Sequence, residues 1–139
     1  MFSAPSTKSA SAYRKVGVET SVGQASPHDL VDMLFDALLH AIGAARAAMQ
    51  RGDVKNKGQH IGHAVRIIEE GLRGALNLEH GGELASNLQN LYGYCVVRLT
   101  QANARNDDAA LEEVLRLIEP VASGWKQMGK QPAAPLQAA

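Results

Sequence analysis

Apolar and polar residues alternate along most of this chain with the period of an α-helix. After Ser26, apolar positions fall at Leu30, Met33, Leu34, Ala37, Leu38, Ala41, Ala45, Ala48 and Met49, the spacing that lines one helix face. Both ends are marked. Ser26 is an N-cap residue, Pro27 suits the first helical position, Asp29 puts negative charge in the first turn, and Gly52 closes the segment. Asp53 then caps a second helix, expected over about 54–79. Its main stripe is Ile61, Val65, Ile68, Leu72 and Leu76, and beside it runs a second one: Ala64, Ile67, Gly71, Gly74 and Leu78. Glycine inside a helix costs roughly 1 kcal/mol relative to alanine, so Gly71 and Gly74 suggest a backbone that something approaches closely. Arg51-Gly52-Asp53 spells an adhesion tripeptide, but its glycine and aspartate are already explained as helix punctuation.

Gly81-Gly82 breaks the pattern, and a third helix is expected over about 83–104. Its stripe is Leu84, Leu88, Leu91, Cys95, Leu99 and Ala102. Ala85, Tyr92 and Val96 widen the stripe well beyond the ~100° that an ordinary surface helix buries, and Tyr94 and Val97 lie outside it. Asn106 and Asp107 end this helix and start a fourth, with Leu111, Val114, Leu115, Ile118, Val121, Ala122, Trp125 and Met128 on one side. Pro120 lies inside it and predicts a kink. Four amphipathic helices of about 30–40 Å with short connections predict an all-α fold, an antiparallel up-down four-helix bundle. The bundle occupies 25–130, preceded by a flexible stretch over 1–24 and followed by a disordered tail over 131–139.

Composition agrees and narrows the chemistry. Only 4% of the 139 residues are aromatic, which argues against strands. The formal net charge is zero, so no overall basic field gathers nucleic acid. Lys8, Arg14 and Lys15 near the start and Lys126 and Lys130 near the end leave a mildly acidic middle. Cys95 is the single cysteine, so no intrachain disulfide forms, as suits a reducing cytosol. The first residues lack the apolar core of a secretion signal, and no run approaches the ~20 apolar residues of a spanning helix, so a cytoplasmic location is expected.

Catalytic patterns are absent. His60 and His63 share a helix face, but neither belongs to the Glu-x-x-His motif that carboxylate-bridged metals in bundles use. Glu79-His80-Gly81-Gly82-Glu83 reads as helix end, turn and helix start rather than acid–base machinery. Asp107, Asp108, Glu112 and Glu113 sit where a helix dipole favours negative charge. Cys95 reads as packed rather than reactive. No enzymatic activity, cofactor or metal is expected.

Two features remain: the apolar excess on the second and third helices, and Tyr13, Val16 and Val18 in an otherwise polar leader. The excess fits a wide core, a homodimer face, or a groove for a partner's amphipathic helix, floored by Gly71 and Gly74. The leader is either disordered or an extended arm docked on the body.

Several strings together resemble the FliS family of flagellin-specific export chaperones. They are Ser26-Pro27-His28-Asp29-Leu30 leading into Met33-Leu34-Phe35-Asp36, Gly52-Asp53, Gly81-Gly82-Glu83-Leu84-Ala85-Ser86-Asn87-Leu88 through Leu91-Tyr92-Gly93-Tyr94, Arg98-Leu99 with Ala102-Asn103, Asn106-Asp107, and Trp125. Tyr13 and Val16 fit the family's N-terminal signature, and the resemblance spans about 13–128. It implies a non-enzymatic bundle that binds the disordered C-terminal segment of flagellin about one to one. Such a chaperone prevents premature polymerisation and delivers the client to the cytoplasmic domain of the export-gate protein FlhA. On this reading the flagellin groove comprises Ala64, Ile67, Gly71, Gly74, Leu78, Leu88, Tyr92, Val96 and Leu99. Tyr13 and Val16 cap it and are candidates for contact with the export gate. The chain would be a monomer or weak homodimer without nucleic acid or membrane insertion. The competing expectation is a homodimeric helical interaction protein with no client.

Overall fold

A computed structural model describes residues 25–76 and 81–130. The stretch 1–24 with Tyr13 and Val16, residues 77–80 with Leu78, and the tail 131–139 lie outside the described residues. Four helical segments follow one another: α1 over Pro27–Arg51, α2 over 54–75, α3 over Gly82–Arg105 and α4 over Asp108–Lys130. Helix α1 packs on α2 and α4, and α3 packs on the same two, so the helices close a ring of sequential neighbours. This is the up-down arrangement that the short connections predict. The core runs along its axis through Leu34, Leu38, Ile42, Ile61, Ile68, Cys95, Leu99, Leu111, Val114 and Ile118.

The two tight turns at one end share a design. Gly52 at φ 75° and Asn106 at φ 53° adopt the left-handed conformation that ends a helix. Behind each, an aspartate N–H returns to the helix just completed, from Asp53 to Ala48 O at 2.9 Å and from Asp107 to Ala102 O at 3.1 Å. Each aspartate then caps the next helix, accepting from Asn56 N at 3.2 Å and Ala110 N at 3.3 Å respectively. Two polar locks tie the four helices together here. Arg46 on α1 forks onto Asp108 of α4 at 2.8 and 2.9 Å. Lys57 on α2, only 4% exposed, donates its ammonium to the Asn103 carbonyl at 2.9 Å and to Asn106 Oδ1 at 2.6 Å. A buried cation thus sits at the negative end of the α3 dipole.

The opposite end is joined by the first turn of α1 and the last turns of α4. Ser26 Oγ accepts from Asp29 N at 3.0 Å, starting α1 as its sequence implies. The His28 imidazole stacks on Trp125 with centroids 4.6 Å apart and planes 9° from parallel. The indole N–H donates to the His28 carbonyl at 3.0 Å, and Lys126 pairs with Asp32 at 2.8 Å. Residues almost a hundred positions apart therefore close the bundle together. Pro120 lies on the exposed side of α4, and helical bonding resumes past it to Lys130.

Helix α2 departs from the uniform α-helix expected to reach Glu79. It is α-helical over Val54–Arg66, π-helical over Ile67–Leu72 and α-helical again over Arg73–Ala75, and Leu76 leaves the helix with ψ 140°. Across the π turn the Arg73 N–H reaches Ile68 O, five residues back. The wider turn lets two adjacent pairs, Ile67 with Ile68 and Gly71 with Leu72, bury together. In an α-helix, adjacent residues stand about 100° apart. The expected end at Glu79 is corrected for a local reason: two interior glycines weaken the helix just where it stops.

Candidate functional site

The residues read from sequence as one groove fall into three sets. Ala64, Ile67, Gly71, Tyr92 and Leu99 are buried. Leu88 and Val96 are half-buried against the same core, and Gly74 is half-buried near the end of α2. Leu78 lies outside the described residues. Ala64, Ile67, Tyr92 and Leu99 belong to the core that all four helices share, and Leu88 and Val96 pack against it. The fully covered members meet a ligand only if the elements above them part. The stripe drawn at a constant 100° per residue does not carry through the π turn, so Gly74 is not simply the continuation of Ile67 and Gly71.

This part of the core holds the Cys95 thiol and the Tyr92 phenol. Cys95 lies inside it, and burial pushes its thiol up to about 11, away from the thiolate that a reactive cysteine needs. Burial also raises the neighbouring Tyr92 phenol. The exposed side of α3 is polar where it faces α4. The Tyr94 hydroxyl donates to Glu113 at 2.5 Å, and Arg98 donates to the same carboxylate at 2.7 Å. These two bonds hold Glu113 below the usual carboxylate range. The other long side of α3 carries Val97 more than half exposed, with Val96 and Gly93 beside it.

Elsewhere, Met33, Asp36, Ala37, His40, Ala41, His60 and His63 line a cleft of about 490 Å³ between α1 and α2. His60 and His63 do share its wall, as their spacing implies. Among the described residues, no group of three or more histidine, cysteine or acidic side chains is placed to hold a metal ion. No helix among them is long and apolar enough to cross a membrane. Among the described residues the arrangement offers apolar helix faces and one end braced by Arg46 and Lys57.

Comparison with known proteins decides the family. The profile of the flagellar protein FliS matches residues 9–132. The chain belongs to the FliS family. The flagellar secretion chaperone FliS of Salmonella typhimurium is 48% identical over 117 residues, covering 84% of this chain and 87% of that protein. The flagellar secretion chaperone FliSB of Pseudomonas aeruginosa is 45% identical over 118 residues, 85% of this chain and 93% of its own. The Bacillus subtilis FliS is 34% identical over 109 residues, 78% and 80%. The FliS match includes the Ser26-Pro27-His28 start and Trp125, which the fold stacks together, and both αL–aspartate turns. These strings are therefore explained by bundle closure. Sequence reasoning missed Lys57, because a buried lysine has no periodic signature.

Proposed function

We propose that this chain is a cytoplasmic, non-enzymatic secretion chaperone whose client is the C-terminal segment of flagellin. The family match over nearly the whole described chain carries this reading, and the apolar α2–α3 layer supports it. The client binds about one to one as an amphipathic segment that orders on the chaperone, so burial of its apolar side repays the chain entropy that it loses. Residues 1–24, through Tyr13 and Val16, form an arm that covers the groove until flagellin displaces it. The loaded chaperone is handed to the cytoplasmic domain of FlhA.

Calorimetry of the full chain against a flagellin C-terminal peptide tests this, with far-ultraviolet circular dichroism in parallel. Saturable binding near one to one, negative heat capacity and a gain of helix are expected. No heat and no helix gain would refute the client assignment. The Val96→Asp variant should abolish this binding with helical content unchanged. Ile67→Asp is the poorer probe, because Ile67 is wholly buried and a charge there unfolds the core.

A further inference from the structure

The cleft between α1 and α2 has an apolar part, Met33, Ala37 and Ala41, with His40, His60 and His63 beside it. Residues 1–24 join the bundle at Ala25, one turn before this helix face begins. One stretch of those residues alternates. Val16, Val18, Thr20 and Val22 share one parity, and Gly17, Glu19, Ser21 and Gly23 share the other. In an extended chain that period puts the valines on one side and the polar residues on the opposite one. The spacings of segment and cleft agree. Counting back from Ala25 at about 3.3 Å per residue, Val22, Thr20 and Val18 lie about 10, 17 and 23 Å away. Counting forward along α1 at about 1.5 Å per residue, Met33, Ala37 and Ala41 lie about 12, 18 and 24 Å away. The same count sets Glu19 at about 20 Å, against His40 at about 22 Å. A histidine keeps at least one N–H donor, which suits a carboxylate. Asp36, about 16 Å along α1, falls beside Thr20 and Ser21, whose hydroxyls are donors in turn.

We propose that residues 18–22 lie extended and antiparallel to α1 in this cleft, with Val22, Thr20 and Val18 on Met33, Ala37 and Ala41. Gly23 supplies the conformational freedom for the chain to reverse just before Ala25. A second copy is not the occupant, because seven lining residues fall far short of the ~20–30 a side of a stable interface. The seat does not depend on the client, and it fixes where the rest of the leader starts. Tyr13 lies five residues beyond Val18, about 17 Å of extended chain. Packed helices stand about 8–10 Å apart, so from this seat Tyr13 reaches across α2 to the α2–α3 side.

The test is disulfide trapping in the full chain under a glutathione redox buffer, with products identified by mass. Thr20→Cys is paired with Ala37→Cys in the cleft and, as control, with Val97→Cys on the exposed side of α3. Cys95 is buried and stays out of the exchange. Thr20→Cys should close onto Ala37→Cys within one chain at least ten-fold faster than onto Val97→Cys. Adding Val18→Asp and Val22→Asp should remove that difference with helical content unchanged. Equal rates for the two pairs would overturn the inference. Disulfides that join two chains at Ala37→Cys would mean that a second copy holds the cleft, and would overturn it as well. If the cleft crosslink fails while a flagellin C-terminal peptide still binds the parent chain, the seat falls and the client assignment stands. If the crosslink forms and no peptide binds, the client assignment falls and the seat stands.

Discussion

Replacing Lys57 with methionine tests the account of how the turn end of the bundle is held. The side chains have similar length and both pack, so the change removes the charge and the two hydrogen bonds, to the Asn103 carbonyl and Asn106 Oδ1. Bonds from a charged donor contribute about 1.5–3 kcal/mol each. The α3 dipole adds about 0.3–1 kcal/mol. Against this, the ammonium no longer has to be desolvated, which recovers several kcal/mol. A net loss of about 2–3 kcal/mol results, the two charged bonds and the dipole outweighing the desolvation recovered; Asn103 and Asn106 are themselves exposed, so water meets the acceptors left behind. For a domain of this size that lowers the melting temperature by about 7–10 °C. Thermal and urea unfolding followed by circular dichroism give the number, and a double-mutant cycle with Asn106→Gly isolates the contact while keeping the left-handed turn. A Lys57→Met chain melting within about 2 °C of the parent, or a coupling below about 0.5 kcal/mol, would refute the argument.

Gly129→Ala places a methyl group against the His28 imidazole, so the His28–Trp125 stack must open, costing about 1–2 kcal/mol. Trp125 is the single tryptophan, so a changed native fluorescence spectrum reports the event directly, and an unchanged one argues against it. Asp108 is held below the usual carboxylate range, first by the Arg46 hydrogen bond. Its contribution to stability is therefore full above the unfolded-state value near 4 and is lost as pH falls through its lower folded value. Arg46→Met should flatten that acid limb of the stability curve, and an identical pH profile would dismiss the pair as a stabiliser. Iodoacetamide at pH 8 should leave Cys95 unmodified in the native chain and modify it in urea; fast native labelling would mean that the core opens readily.

Much of this protein was legible in one dimension. Helix starts and stops depend on local chemistry, and Ser26, Gly52-Asp53 and Asn106-Asp107 occupy the capping roles that their types announce. Fold class follows from apolar period and short connections, and the family strings named the class of partner. The surroundings of Ala64, Ile67, Gly71 and Gly74 were less legible. A helical wheel assumes one angle per residue, and the π turn over Ile67–Leu72 breaks that assumption among them.

By itself, then, the sequence determined where the helices begin, where all but α2 end, most of each apolar side, and the family to which the chain belongs. Those properties rest on neighbours within a few positions and on strings of residues. Only the tertiary structure decided that Lys57 is buried against the end of α3, that His28 meets Trp125, and that Ala64 and Ile67 are fully covered. Each depends on which helix lies beside which and at what depth. Periodicity carries no record of that depth, because a side chain's exposure is set by elements far from it along the chain.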